Sequence, residues 1–159
     1  MAAIKPEPMV SVWDMFAKLI DAEGSILLKT SNTGTSIGKV SPRVTMTQSD
    51  KGLALLEWLA DNYGGSIDRC YKGDVKRLGT YQWQVVAVDA VEILLERSEP
   101  YYLLKQRQAR LALDFIRWLN SAKFFNKHLW CVPANVTSAK RYADKMKELN
   151  RRGPIVAEN

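Results

Sequence analysis

Between Lys39 and Gln48 the chain alternates with a period of two. Val40, Val44 and Met46 fall on one side; Ser41, Arg43, Thr45 and Thr47 fall on the other. Successive side chains of a strand point to opposite faces, so this segment is a strand with one buried face and one wet face. The wet face carries hydrogen-bonding residues and a cation, not a run of Glu and Lys. Pro42 removes a ladder donor, which predicts an edge position or a bulge. Residues 25–31 supply a partner strand, and the polar segment 32–38, with Gly34 and Gly38, has hairpin-loop chemistry. A second hairpin joins residues 66–72 to residues 80–88 through a loop over 73–79. In its last strand Tyr81, Trp83 and Val85 form the core side, and Gln82 and Gln84 repeat the polar theme.

Helices surround the hairpins. Ser11 is read as the cap of a first helix over residues 11–22, with Val12, Phe16, Leu19 and Ile20 as its buried stripe. Asp50 is read as the cap of residues 51–63, which end at Gly64 and Gly65. Asp89 is read as the cap of residues 90–97, and Pro100 breaks that run. A long helix is predicted over 103–120 and a basic one over 134–152. Lys140, Arg141, Lys145, Lys147, Arg151 and Arg152 give the latter a solvated face or a contact for phosphates. Residues 1–10 read as a leader and 153–159 as a tail, around one domain over 11–152. The order is α-β-β-α-β-β-α with C-terminal helices, an α+β domain. Its two hairpins make one four-stranded antiparallel sheet covered by helices on one face. The open face would carry Lys29, Arg43, Thr45, Gln82 and Gln84, a surface that can enter a DNA major groove.

A net charge of +6 favours polyanionic partners, nucleic acid first. No apolar run approaches the ~20 residues that span a bilayer. Residues 1–10 lack the apolar core of a signal peptide, which predicts an intracellular protein. Cys70, Cys131 and the single His128 argue against a disulfide framework, a zinc site or a triad.

The first helix stops at Gly24 with Asp21 and Glu23 in its last turn. Carboxylates sit badly at the negative end of a helix dipole. A divalent cation is one reason for their presence, since hard metals take oxygen ligands. Glycine at 24 is expected to take the left-handed stop conformation. Phe16-Ala17-Lys18-Leu19-Ile20-Asp21-Ala22-Glu23-Gly24 resembles the signature of the LAGLIDADG homing endonucleases, with Phe16 in place of leucine and Lys18 in place of glycine. The α-β-β-α-β-β-α order matches that family's domain.

The resemblance implies a site-specific endonuclease. It would make a double-strand break in a long pseudo-palindromic DNA target, with Mg2+ as cofactor. Glu23 would be the catalytic acid and metal ligand, with weaker help from the Gly24 carbonyl or a nearby water. Gln48 resembles the family's glutamine at the end of the second strand and would position the attacking water. Lys105, in the run Tyr101-Tyr102-Leu103-Leu104-Lys105-Gln106, resembles the lysine near the active site. DNA contacts are expected from Leu27, Lys29, Ser31, Thr33, Lys39, Ser41, Arg43, Thr45, Thr47, Lys72, Lys76, Arg77, Gln82, Gln84 and Arg107. One motif per chain implies a homodimer. Its seam is expected at Ala17, Asp21 and Gly24, spaced i, i+4, i+7, with Trp13 and Ile20 beside them. The partners are then double-stranded DNA and a second copy, with no membrane and no small-molecule substrate. The alternative is a protein of the same fold acting as an RNA maturase or a DNA-binding regulator without nuclease activity.

Overall fold

A computed structural model describes residues 11–32, 34, 38–125 and 128–151. The expected leader, the tail and Thr33 lie outside the described residues. The chain runs α1 (Val12–Glu23), β1 (Gly24–Thr30), β2 (Val40–Ser49), α2 (Leu53–Tyr63), β3 (Ser66–Tyr71), β4 (Thr80–Val85), α3 (Val88–Ser98), α4 (Gln106–Phe125), α5 (Pro133–Leu149). The four strands form one antiparallel sheet in the order β1-β2-β4-β3. Among the described residues no helix is long and apolar enough to cross a membrane.

The period-two pattern fixes the register. Ile26 faces Val44, Met46 faces Trp83, and Val44 faces Val85 across the ladders. These residues are fully or almost fully buried beneath the helices. From α1, Phe16 and Ile20 reach the same core, each worth about 1.5–3 kcal/mol when fully buried. An aromatic group of Trp13, Phe16, Trp58, Tyr63 and Trp83 packs edge-on or tilted there. Its polar atoms are satisfied: Trp83 Nε1 donates to the Gly64 carbonyl at 2.8 Å and Tyr63 Oη to the Val12 carbonyl at 2.7 Å. Gly65 has φ +92°, and a Cβ there would lie 2.5 Å from the Gln84 carbonyl oxygen, so this turn requires glycine.

Several boundaries depart from expectation, each for a local reason. Ser11 does cap α1, its hydroxyl accepting from the Asp14 amide at 3.0 Å. Val12 of the predicted stripe is 54% exposed and Leu19 only partly buried. Gly24 is extended (φ −96°, ψ −179°), not left-handed. Glycine is needed because a Cβ would approach Ile20 Cδ1 at 2.7 Å and Ile20 Cα at 2.9 Å. Pro42 sits in an interior strand, yet the β2–β4 ladder begins only at Val44, so at Pro42 the strand is paired with β1 alone.

Asp50 opens a short 3-10 turn before α2 without capping it. Its carboxylate accepts instead from the Gly79 amide at 3.0 Å, tying α2 to the end of the β3–β4 loop. Likewise Ala87 precedes α3, and Asp89 lies inside its first turn, where a carboxylate suits the dipole. Pro133 starts α5, as its fixed φ favours at a first helical position. The end of α5 is anchored by Asn150, whose Nδ2 donates to the Ile26 carbonyl at 2.9 Å. Helix α4 begins at Gln106 rather than at 103 because the preceding amides are turned toward α1.

Candidate active site and nucleic-acid interface

The C-terminus of α1 meets the N-terminus of α4. Asp21 is 7% exposed, and both its carboxylate oxygens are occupied. Oδ2 accepts from the Leu103 amide at 2.7 Å; Oδ1 accepts from the amides of Leu104 at 3.2 Å and Lys105 at 2.9 Å. These amides enter α4, whose first turn has unpaired donors and a positive dipole end. In return Lys105 Nζ donates to the Asp21 carbonyl, in the last turn of α1, where a cation is favoured. The acid that is badly placed for its own helix is well placed for the next one.

Glu23, the last residue of α1, is exposed. Gly24 behind it is buried and opens β1 opposite Met46. Gln48 follows two residues further along β2, roughly 7 Å at 3.3 Å per residue. Glu23, Lys105 and the end of β2 are thus gathered at one end of the sheet. Gln48 has the parity of the core side of β2. Its Oε1 lies 2.6 Å from where a Cβ on Gly52 would stand, so its amide rests against the turn that precedes α2.

A divalent cation fits this end in a restricted way. Asp21 has no oxygen to spare, and among the described residues no cluster of three or more Asp, Glu, His or Cys side chains is present. One chain offers the Glu23 carboxylate, which suits a hard ion that keeps water and phosphate ligands, the usual habit of magnesium.

The open face follows the predicted parity. Ser25 pairs with Thr45, Leu27 with Arg43 and Lys29 with Ser41; Thr45 pairs with Gln84 and Thr47 with Gln82. Thr45 is 6% exposed, covered by its neighbours although it lies on this face. A shallow groove lined by Lys29, Ser31, Ser41 and Arg43 opens at the β1–β2 end. Lys39 falls just before β2, and Lys72, Lys76 and Arg77 are exposed on the β3–β4 loop. There Asp74 accepts from Tyr71 Oη and from the Lys76 and Arg77 amides, which folds the loop on itself. These bonds hold the Asp74 carboxyl below its ordinary range, the tyrosine bond contributing most.

Solved structures share this arrangement. The homing endonuclease I-CvuI, in complex with the I-CreI target, superposes with a TM-score of 0.70, at 24% identity, over 90% of this chain and 83% of that one. I-TnaI, a homing endonuclease, matches at 0.64 and 15% identity over 89% and 97%. The LAGLIDADG meganuclease I-AabMI, bound to uncleaved DNA, matches at 0.69 and 19% identity over 92% of this chain and 48% of that one. The fold is that of the LAGLIDADG homing endonucleases. No protein-family model matches the sequence, and no curated protein matches it.

Within the LAGLIDADG fold, two groups of expected residues are placed otherwise. Ala17 and Ile20 have no exposed surface, and Asp21 and Gly24 are buried within the single chain. Trp13 packs on Phe16 and Tyr63, with the Arg97 guanidinium 5.4 Å from its ring centroid. That face of α1 is the inward one, because Phe16 and Ile20 set which side turns to the core. The outward face carries Val12, Met15, Lys18 and Ala22, with Leu19 at its edge. Arg107 lies in the cleft between α4 and α5 with Lys145 and Glu148, in the helical layer and not with the strands. Asp68, on β3 opposite Gln82, is an acid on the open face that was not singled out. Its alternation with Ser66 and Cys70 was the available signal.

Proposed function

We propose that the protein is a LAGLIDADG homing endonuclease, a site-specific DNA nuclease acting as a homodimer on a pseudo-palindromic target. The observation that carries this reading is the meeting of α1 and α4. There Lys105 is bonded to Asp21, two residues before Glu23, at one end of a sheet whose other face is open and polar. I-CvuI has been solved with DNA in the presence of magnesium and of calcium, which supports a divalent cation here. Bound magnesium would supply positive charge against the phosphate and acidify an attacking water. Glu23 would hold such an ion, one carboxylate from each chain serving one DNA strand. Lys105, kept at the end of α1, adds a cation near the charge that develops on the phosphate. Gln48 is placed to orient water only if its amide leaves the Gly52 turn.

A double-strand break needs two such sets, so two copies would pair about a two-fold axis. The outward face of α1, with Met15, Leu19 and Ala22, is the surface available for that pairing. The strands then lie in the major groove. Plasmid DNA carrying sites selected from a random library, incubated with magnesium, tests the proposal. Linear product that disappears with chelator supports it. Selected binding without any nicking would leave a DNA-binding protein of the same fold.

A further inference from the structure

Three adjacent strands contribute one continuous polar line across the open face. Arg43 of β2 donates from Nη1 to Gln84 Oε1 at 3.2 Å, and Gln84 of β4 donates from Nε2 to Asp68 Oδ2 of β3 at 2.7 Å. A guanidinium only donates and an ionised carboxylate only accepts. A glutamine amide between them has one orientation: its oxygen must face Arg43 and its nitrogen must face Asp68. The amide therefore transmits the Asp68 charge to Arg43. Arg43 Nε is buried and has no partner among the described residues, a costly state for a donor. The guanidinium is held in that pose by Gln84 and, behind it, by Asp68. Fixing a guanidinium matters for base recognition, since reading guanine takes two N–H groups aimed together at O6 and N7.

We propose that Asp68 is a specificity-positioning residue: it touches no base, and it sets the base preference of Arg43 by locking the Gln84 amide. This rests on the endonuclease reading of the open face. Asp68 is exposed on the edge strand β3, so its replacement leaves the core intact. In Asp68→Asn the side-chain amide can donate as well as accept. Gln84 is then free to flip its nitrogen toward Arg43, where two donors repel and the guanidinium is released.

Sites selected from a randomised DNA library by wild type, Asp68→Asn, Asp68→Glu and Arg43→Ala give the test. The expected result is a loss of about tenfold in discrimination at one base-pair position in Asp68→Asn. The same position is flattened in Arg43→Ala, and the preference is restored in Asp68→Glu. Asp68→Asn added to Arg43→Ala should change nothing further there. If Asp68 merely repels phosphate, Asp68→Asn binds all sequences more tightly with the profile unchanged, and the proposal is overturned. A second measurement needs no DNA: the Arg43 Nε–H proton should exchange slowly in the wild type and fast in Asp68→Asn. Equal exchange in both overturns the relay even where DNA selection succeeds. Slow wild-type exchange lost in the variant, with no sequence selected by any form, supports the relay and removes the endonuclease reading.

Discussion

Asp21 and Lys105 exchange bonds across 84 residues of sequence: the carboxylate of one accepts the backbone amide of the other, whose ammonium returns to the carbonyl of the first. Each group compensates the helix end that the other belongs to. The α1 carbonyl end receives a cation and the α4 amide end receives an anion, both favourable for helix dipoles. The pairing also sets the geometry of the site, because Glu23 is two residues beyond Asp21 on the same helix end.

Asp21→Asn should therefore act on stability and on activity together. One acceptor oxygen becomes a donor facing amide donors in a buried place. Bonds to charged acceptors are worth about 1.5–3 kcal/mol each, so a loss of about 2–3 kcal/mol is expected. For a chain of this size that lowers the melting temperature by roughly 4–12 °C. Calorimetry checks it. A variant melting within a degree of the wild type would show that the clasp contributes little.

Glu23→Gln separates the exposed acid from its structural neighbour. The residue is exposed and ends its helix, so the melting temperature should stay within about 1 °C, as surface changes usually do. Cleavage with magnesium should fall by orders of magnitude, while DNA affinity persists because phosphate contacts by Lys and Arg supply most of it. Parallel gel-shift and nicking assays check this. Cleavage at the wild-type rate would remove Glu23 from the site.

What was legible in the sequence follows from short-range chemistry. The alternation over Val40, Val44 and Met46 fixed the strand, its buried side and the open face, since a slip of one residue would invert every side chain. Glycine pairs and proline marked the ends of helices. What was not legible required contacts between distant segments. Asp21 reads as a structural acid at a helix end or a seam, and its partners appear only when the amides at 103–105 are known to face it. Asp50 and Asp89 resemble helix caps, yet one bonds Gly79 and the other lies within the first turn of its helix. The facing of α1 was not legible either: small residues at Ala17 and Gly24 suit a helix seam as well as a close approach within one chain. Phe16 and Ile20 decide the matter by turning that side to the core.

The β3–β4 loop carries a pH dependence at both ends of the scale. Asp74 is held below its ordinary value of 3.8, so its contribution is complete above about pH 4 and is lost as pH falls through the lowered folded value. Tyr71 is held above its ordinary value of 10.0 by the same bond. That contribution is complete below about pH 10 and is lost as pH rises through the raised value. Loop order should therefore be constant between those limits. Amide exchange at Lys76 and Arg77, corrected for intrinsic rates, reads it directly. A change in protection near neutral pH would mean that another group controls the loop. Asp74→Asn should lose protection at every pH.

Two alanines on opposite sides of α1 distinguish core from assembly. Ala17 is fully enclosed by its own chain, and Ala22 is exposed on the outward face. A bulky side chain at position 17 has no space, and overpacking typically costs 1–3 kcal/mol or more. Ala17→Trp should lower the melting temperature whatever the state of assembly. Ala22→Trp should keep the wild-type melt of the single chain but obstruct the approach of a second helix. Two copies of the 18.0 kDa chain give 2 × 18.0, about 36 kDa, for the wild type by light scattering. Ala22→Trp should give about 18 kDa and lose double-strand cleavage, since each copy brings one Glu23. If Ala22→Trp remains a dimer and cuts both strands, the copies meet elsewhere. If the wild type stays monomeric on DNA and still cuts both strands, pairing of two Glu23 residues is not how this protein makes its break.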